Sequence, residues 1–377
     1  MTGPVIRRGA PGVYVHIPFC LQRCDYCDFT TFADRDEAIP AYVSGLSAHI
    51  AGSGAAYEGE VFGSVFVGGG TPTYLPPADL ARVLGAVREA FAFTADAEWT
   101  VEANPETVTA EMAGALAAAG VNRISLGAQS FDDRVLQTLG RWHDPASVAT
   151  AVERLRDAGI ERLSLDLIYG TPGETDASWE RSLDRVIDLG VRHVSAYALT
   201  VEPNTPYAAR VRRQPALEPD EDLQAHRMGV AEQRLTAAGL ARYEVSNWAA
   251  PGRASRHNLT YWRGGDWLAF GSGAHGAWAG RRWWLVRDPA KYARMVADGA
   301  EPLGGEEHVD ADARRIERLM MGLRLVEGVL MAEVQPLVPS TVSRLIAAGL
   351  LTVRAGTHLA LTPAGMPLAG AVIRDLA

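Results

Sequence analysis

Six times between Val13 and Ala198 a short β-branched run is followed by turn residues and then by a stretch with helical hydrophobic period. The strand-like runs are Val13 to Ile17, Ser64 to Val67, Trp99 to Ala103, Arg123 to Leu126, Leu163 to Ile168 and His193 to Ala198. Helical patterns fill the intervals at Ala38 to Ala51, Ala78 to Ala90, Ala110 to Ala118, Asp132 to Leu139, Ser147 to Ala158 and Ala177 to Leu189. Alternation at this spacing requires parallel strands joined by crossover helices. Six units fall short of a closed barrel of about eight, so the expected fold class is α/β, a partial TIM-like (β/α)6 barrel.

The pattern loosens after residue 205. The segment AARVRRQPALEPDED reads as a charged linker, Glu221 to Ala238 as a helix, and ARYEVSNWA as one further strand. From Val309 onward two helices, Asp312 to Val326 and Val338 to Ala348, precede two short strands around an Ala-Gly turn, a winged-helix-like arrangement. The expected divisions are therefore a barrel over 1–205, an extension over 206–302 and a C-terminal module over 303–377. Winged helices often bind nucleic acid, but Leu303 to Ala377 carries seven basic and eight acidic residues, and the whole chain has 36 Lys and Arg against 45 Asp and Glu. That balance argues against nucleic acid and favours a structural or partner-docking module. No stretch approaches the ~18 apolar residues of a membrane span, and the N-terminus lacks an apolar signal core. A cytoplasmic protein without an integral membrane segment is expected.

In an α/β sheet, ligands gather at the carboxyl ends of the strands. Here those ends carry IPFCLQRCDYC, GGGTPTY, EANPET, GAQSFDD, YGTPGET and YALTVEP, so six polar and glycine-rich loops should converge. The first holds Cys20, Cys24 and Cys27, all the cysteines of 377 residues. In a reducing compartment clustered thiols are metal ligands or redox groups rather than structural disulfides. Zinc would need a fourth ligand such as His16; a redox pair would use Cys24 and Cys27 and leave Cys20 idle; an iron–sulfur cube would leave one iron without a thiolate.

The C-x3-C-x2-C spacing together with GGGTP resembles the radical S-adenosylmethionine (SAM) superfamily. The resemblance implies a [4Fe–4S] cluster held by Cys20, Cys24 and Cys27, its open iron chelated by the amino and carboxylate groups of SAM. It places Gly69, Gly70 and Thr71 at the methionine amino group and matches Glu102, Gln129, Arg141, Asp166 and Ala198 to further SAM contacts. Tyr26 would pack near adenine and Tyr14 beside the cluster.

Within the superfamily, YVHIPFC, GGGTPTYL, LDLIYGTPGET and the C-terminal module resemble the branch that contains oxygen-independent coproporphyrinogen III oxidases and heme chaperones. Phe29 stands where the oxidases have a further cysteine, only Met1 to Gly12 precede the first strand, and HNLTYW (His257 to Trp262) matches the HNxxYW element of the chaperones. The chaperone likeness implies that the chain binds heme and delivers it to an acceptor hemoprotein, with peripheral membrane contact left open. His257 is the expected axial ligand, with Tyr261 and His275 as alternatives and Asn258 and Trp262 in the same element. His275 also falls where the oxidases contact SAM. Six of the nine tryptophans lie between Trp248 and Trp284, enough aromatic area for a heme plate, although such a segment is more often core. The alternative reading is porphyrin biosynthesis by radical decarboxylation of coproporphyrinogen III; a zinc-stabilised scaffold is the third.

Overall fold

Residues 9–377 are described by a computed structural model. Each strand expected from the pattern is present: β1 (Gly12–Ile17), β2 (Val61–Gly69), β3 (Ala92–Ala103), β4 (Arg123–Gln129), β5 (Arg162–Tyr169) and β6 (His193–Ala198). They pair in sequence order, all parallel. The connecting helices are α1 (Ile39–Ser53), α2 (Pro77–Ala90), α3 (Ala110–Ala118), the pair α4 (Asp133–Thr138) and α5 (Pro145–Asp157), and α6 (Asp176–Asp188). Local chemistry sets several starts: Thr109, Asp132 and Asp144 accept hydrogen bonds from first-turn amides, and Thr175 and Ser178 close a reciprocal capping pair.

The sheet is twice as wide as the six-unit reading. Its twelve strands run β12-β11-β10-β9-β1-β2-β3-β4-β5-β6-β8-β7. The added strands are β7 (Ala241–Glu244), β8 (Asn247–Ala249), β9 (Trp267–Phe270), β10 (His275–Trp278), β11 (Arg281–Leu285) and β12 (Leu303–His308). β9 continues the parallel order on the free edge of β1, and β8 covers the edge of β6 antiparallel. Both edges of the parallel core are thereby paired.

Two local expectations are corrected. ARYEVSNWA is a hairpin of β7 and β8 rather than one strand, because Val245 and Ser246 form a turn. The supposed linker contains α7 (Pro206–Arg213), which Thr205 caps and whose Tyr207 and Val211 are buried one turn apart. Arg212 and Arg213 lie on its outer face, and their charge hid the helix. Next come α8 (Glu221–Ala237), α9 (Arg256–Trp262) and α10 (Pro289–Ala297); α10 packs on α1 so closely that a Cβ at Gly45 would lie 3.1 Å from Ala293 Cα. Beyond the large sheet, α11 (Ala311–Gly322), β13 (Val329–Leu330), α12 (Pro339–Ala347), β14 (Leu351–Arg354), β15 (His358–Leu361) and α13 (Ala369–Leu376) build the C-terminal unit. Its sheet has three strands, β13-β15-β14; the two-residue β13 and the final helix escaped the sequence reading. Among the described residues no helix is long and apolar enough to cross a membrane.

Candidate functional site

The cysteine loop leaves the end of β1 and is fixed mainly through its backbone. Cys20 N–H donates to Phe32 O (3.0 Å) and Phe32 N–H to Pro18 O (2.7 Å), closing the loop at its base. At its tip Asp25 N–H donates to Leu139 O (3.3 Å), and Asp25 O accepts from Tyr207 N (2.9 Å). The Asp25 carboxylate takes Arg210 Nη1 at 2.7 Å. Thus α7, the element mistaken for a linker, is one of the loop's supports.

All three cysteines are free thiols lining one cavity of about 490 Å³. Burial pushes the Cys20 thiol up to about 12 and also raises Cys27, so a bound cation would be what favours their thiolates. Zinc with His16 is excluded as the completed set. His16 Nε2 donates to Thr30 O (2.8 Å), which leaves Nδ1 to accept from Tyr14 OH (2.9 Å), and both ring nitrogens are used. Among the described residues no three His, Cys, Asp or Glu side chains converge on a single ion. A cube takes one thiolate per iron and does not need its donors to meet at a point, so the loop fits an iron–sulfur cluster.

The rest of this cavity is built from strand ends. At GGGTP the glycines are required by crowding. A Cβ on Gly68 would meet Glu102 Oε2 at 2.5 Å, and one on Gly70 would meet Phe19 O at 2.6 Å; Gly69 has φ of 109°. The amides here are spent: Gly69 N donates to Glu102 Oε2 (2.9 Å), Gly70 N to Ile17 O (2.7 Å) and Thr71 N to Phe19 O (2.8 Å). With its amides spent, the turn can meet a ligand only through carbonyl oxygen, which suits an amino N–H donor. Burial raises the Glu102 carboxyl to about 7, with the charge of Asp166 adding to the shift.

Arg141, nearly fully buried, reaches Cys24 Sγ (Nη1, 3.5 Å), Asn104 Oδ1 and Gly127 O (Nη2, 3.0 Å each), while its Nε has no partner. A buried guanidinium on the cavity wall beside the thiols suits an anionic group such as a carboxylate. A register shift between β4 and β5 puts Gln129 in the left-handed region (φ 59°) on the cavity wall. Asp166 is held by the hydroxyls of Ser125 (2.8 and 3.0 Å), Ser195 (2.7 Å) and Ser164 (3.2 Å). Ala198 and Tyr26 complete the same wall. Asn104 and the three serines were missed in the sequence. Their signal was a polar residue at every second position inside otherwise apolar strands, as in RISLGAQ, RLSLDLIY and HVSAYA.

A second cavity of about 920 Å³ adjoins the first, and Asp28, Phe29, Gly69, Glu102, Tyr197 and Asn258 line both. Its remaining wall presents the aromatic side chains of Tyr14, Tyr261, Trp262, Trp267 and Trp284 around His275, beside a polar stretch from Glu244 to Asn247. Tyr14 and His275 therefore face this space and not the cysteine cavity. Of the six clustered tryptophans, Trp248 and Trp283 are core and Trp278 packs on Tyr57 and Phe62, so half the cluster is structural.

The HNLTYW element divides in the same way. Ser255 caps α9, whose first amides at Arg256 and His257 donate to the buried carboxylate of Glu98 (2.9 and 3.3 Å). Asn258, Tyr261 and Trp262 reach the larger cavity; His257 reaches neither. It is fully buried against Phe66 and β1, with Nδ1 on Ser64 Oγ (2.9 Å) and Nε2 on Tyr261 OH (2.7 Å). Burial alone pushes its pKa down to about 3. The expectation of His257 as an axial ligand is corrected: a ring with both nitrogens engaged has no lone pair for a metal.

An open-sided parallel barrel with three thiols at the carboxyl end of its first strand defines a class, and comparison with known proteins agrees. The sequence model of the Radical SAM superfamily matches residues 14–186, and that of the HemN C-terminal domain matches residues 309–368. The heme chaperone HemW of Mycobacterium tuberculosis strain H37Rv is 44% identical over 97% of this chain and 94% of its own length. The Bacillus subtilis protein of the same name is 34% identical, with 84% of each chain covered. The solved structure of coproporphyrinogen III oxidase (HemN) from Escherichia coli, described as a radical SAM enzyme, shares the fold. It has a TM-score of 0.83 at 23% identity and covers 97% of this chain and 90% of that one. The chain belongs to the radical SAM superfamily and, within it, to the HemW family.

Proposed function

We propose that this protein holds a [4Fe–4S] cluster and SAM in the cysteine cavity, binds heme in the adjoining aromatic cavity and passes it to an acceptor hemoprotein. Cys20, Cys24 and Cys27 would ligate the cluster. Arg141, on the cavity wall beside Cys24, would face the SAM carboxylate, while Glu102 and the carbonyls of Gly69 and Gly70 would accept hydrogen bonds from its amino group. When bound, the cluster supplies an electron source beside a sulfonium. Heme enters here as cargo, in keeping with the name carried by the relatives.

The observation that carries this reading is the 920 Å³ cavity faced by Tyr261, Trp262, Trp267 and Trp284, which presents flat apolar area to a flat apolar ligand. The test is anaerobic reconstitution followed by parallel heme titration and decarboxylation assays. Uptake of one heme per chain, without conversion of coproporphyrinogen III, supports the chaperone. Formation of protoporphyrinogen IX overturns it in favour of the oxidase.

A further inference from the structure

Two histidines line the aromatic cavity. His16 has spent both ring nitrogens on Thr30 and Tyr14, whereas neither ring nitrogen of His275 has a hydrogen-bond partner among the described residues. Tyr261, the other ligand considered from sequence, is bound to His257 Nε2 at 2.7 Å. Its phenol is raised by burial and by the charge of Glu102, against the phenolate that iron ligation requires.

His275 is mounted rigidly. It opens β10, its carbonyl accepts from Trp267 Nε1 at 2.7 Å, and its ring lies 6.1 Å from that of Trp284 at an interplanar angle of 28°. Trp267 and Trp284 flank it on the same wall, and Met321 lines the cavity as well. Two cations lie close by. Arg282 is engaged by Glu317 (2.8 Å) and Glu307 (3.4 Å). Arg287 bonds only Thr30 Oγ1 (3.2 Å) and has no carboxylate partner among the described residues.

We propose that His275 is the axial ligand of heme iron in the aromatic cavity and that Arg287 receives a heme propionate; this rests on the heme-binding reading above. The ligation is a donor bond from one imidazole nitrogen to iron, with no change of redox state. Partial burial and the charges of Arg282 and Arg287 push the imidazole pKa down, which favours the neutral form that ligates. The propionate on Arg287 is a charge-assisted contact at the cavity wall.

The reconstituted full-length chain is titrated with hemin and followed by absorption and electron paramagnetic resonance. Parent protein should bind about one heme with a histidine-ligated spectrum. His275→Ala should weaken binding at least about tenfold and shift the Soret band, and added imidazole should restore the band position. His275→Tyr should give a phenolate-type high-spin signal. Arg287→Ala should weaken binding severalfold with the Soret band unmoved. His275 is exposed, so these variants should fold, and circular dichroism verifies that. If the parent binds heme and His275→Ala matches it in affinity and spectrum, the ligand assignment is overturned while the functional reading survives. If the parent takes up no stoichiometric heme, the functional reading falls and the assignment falls with it.

Discussion

Replacing Gly70 by alanine tests whether crowding at GGGTP positions the cysteine loop. The new Cβ would lie 2.6 Å from Phe19 O, 2.9 Å from Ile17 O and 3.0 Å from Cys20 Sγ. The first two are backbone atoms and cannot rotate aside. They also accept the hydrogen bonds of Thr71 N (2.8 Å) and Gly70 N (2.7 Å), so relief requires the turn to part from the base of the cysteine loop. Overpacking of this kind costs about 1–3 kcal/mol. Each of the two weakened hydrogen bonds adds up to about 1 kcal/mol, for a total of roughly 1–5 kcal/mol. The same displacement carries Cys20 away from its partners. Gly85, inside α2, supplies the contrast: a Cβ there would meet no atom within 4 Å, and alanine should add about 0.5–1 kcal/mol. Urea unfolding of the apoprotein measures stability, and iron and sulfide per chain after anaerobic reconstitution measure the loop. Gly70→Ala should lower both, and Gly85→Ala should raise the first and leave the second. A Gly70→Ala protein with parental midpoint and full iron would refute the steric account.

Glu102, raised to about 7, should make SAM binding tighten as pH rises from about 6 to about 7, because the SAM amino group donates to the carboxylate form; in Glu102→Gln calorimetry should show that part of the dependence gone. The sign for folding is opposite. The folded state keeps a proton that the unfolded chain has lost, so this group's contribution to stability falls as pH rises from about 4.5 to about 7 and then levels off. Arg210→Ala removes the ion pair to Asp25 and the bond to Thr138 O, and should speed loss of the cluster in air with little change in unfolding midpoint, since the pair is partly exposed. His257→Ala strands the hydroxyls of Ser64 and Tyr261 in the core and should cost about 2–4 kcal/mol, while the Soret position of bound heme stays as in the parent.

Where the chain obeys one period, its structure could be read directly. The six βα units follow from runs such as LSLDLI and their intervening amphipathic helices, and the loops holding Cys20, Gly69, Glu102, Gln129, Arg141, Asp166 and Ala198 meet in one cavity as strand polarity requires. The failures have physical causes. The short strands β9 to β12 lie in a segment dense in tryptophan and arginine, where core, rim and cavity positions share one composition. Trp283 and Trp284 are adjacent yet point to the core and to the cavity. α7 was masked by three arginines in four positions, of which Arg212 and Arg213 face outward and Arg210 turns in to Asp25. His257 illustrates the limit of a motif: the pattern HNLTYW marks the element correctly, but a spacing says nothing about whether one ring nitrogen will be taken by Tyr261 within the motif and the other by Ser64 on β2.

The two cavities are joined by the shortest possible stretch of chain. Asp28 and Phe29, immediately after Cys27, form part of both walls, and Thr30 next to them holds His16 through its carbonyl and Arg287 through its hydroxyl. Whatever fixes Cys27 therefore fixes part of the wall around the aromatic cavity, although no cysteine touches that space. Such coupling is reciprocal: if a cluster changes heme affinity by some factor, heme changes cluster affinity by the same factor. Cys24→Ser, which removes a cluster ligand while leaving the larger cavity's residues in place, should thus shift the heme dissociation constant relative to reconstituted parent. Bound heme should in turn slow iron release from the parent in the presence of a chelator. Equal heme affinities with and without the cluster would show that the Asp28–Thr30 strip is held by His16 of β1 and by Arg287 without help from the cluster, and that the two sites act independently.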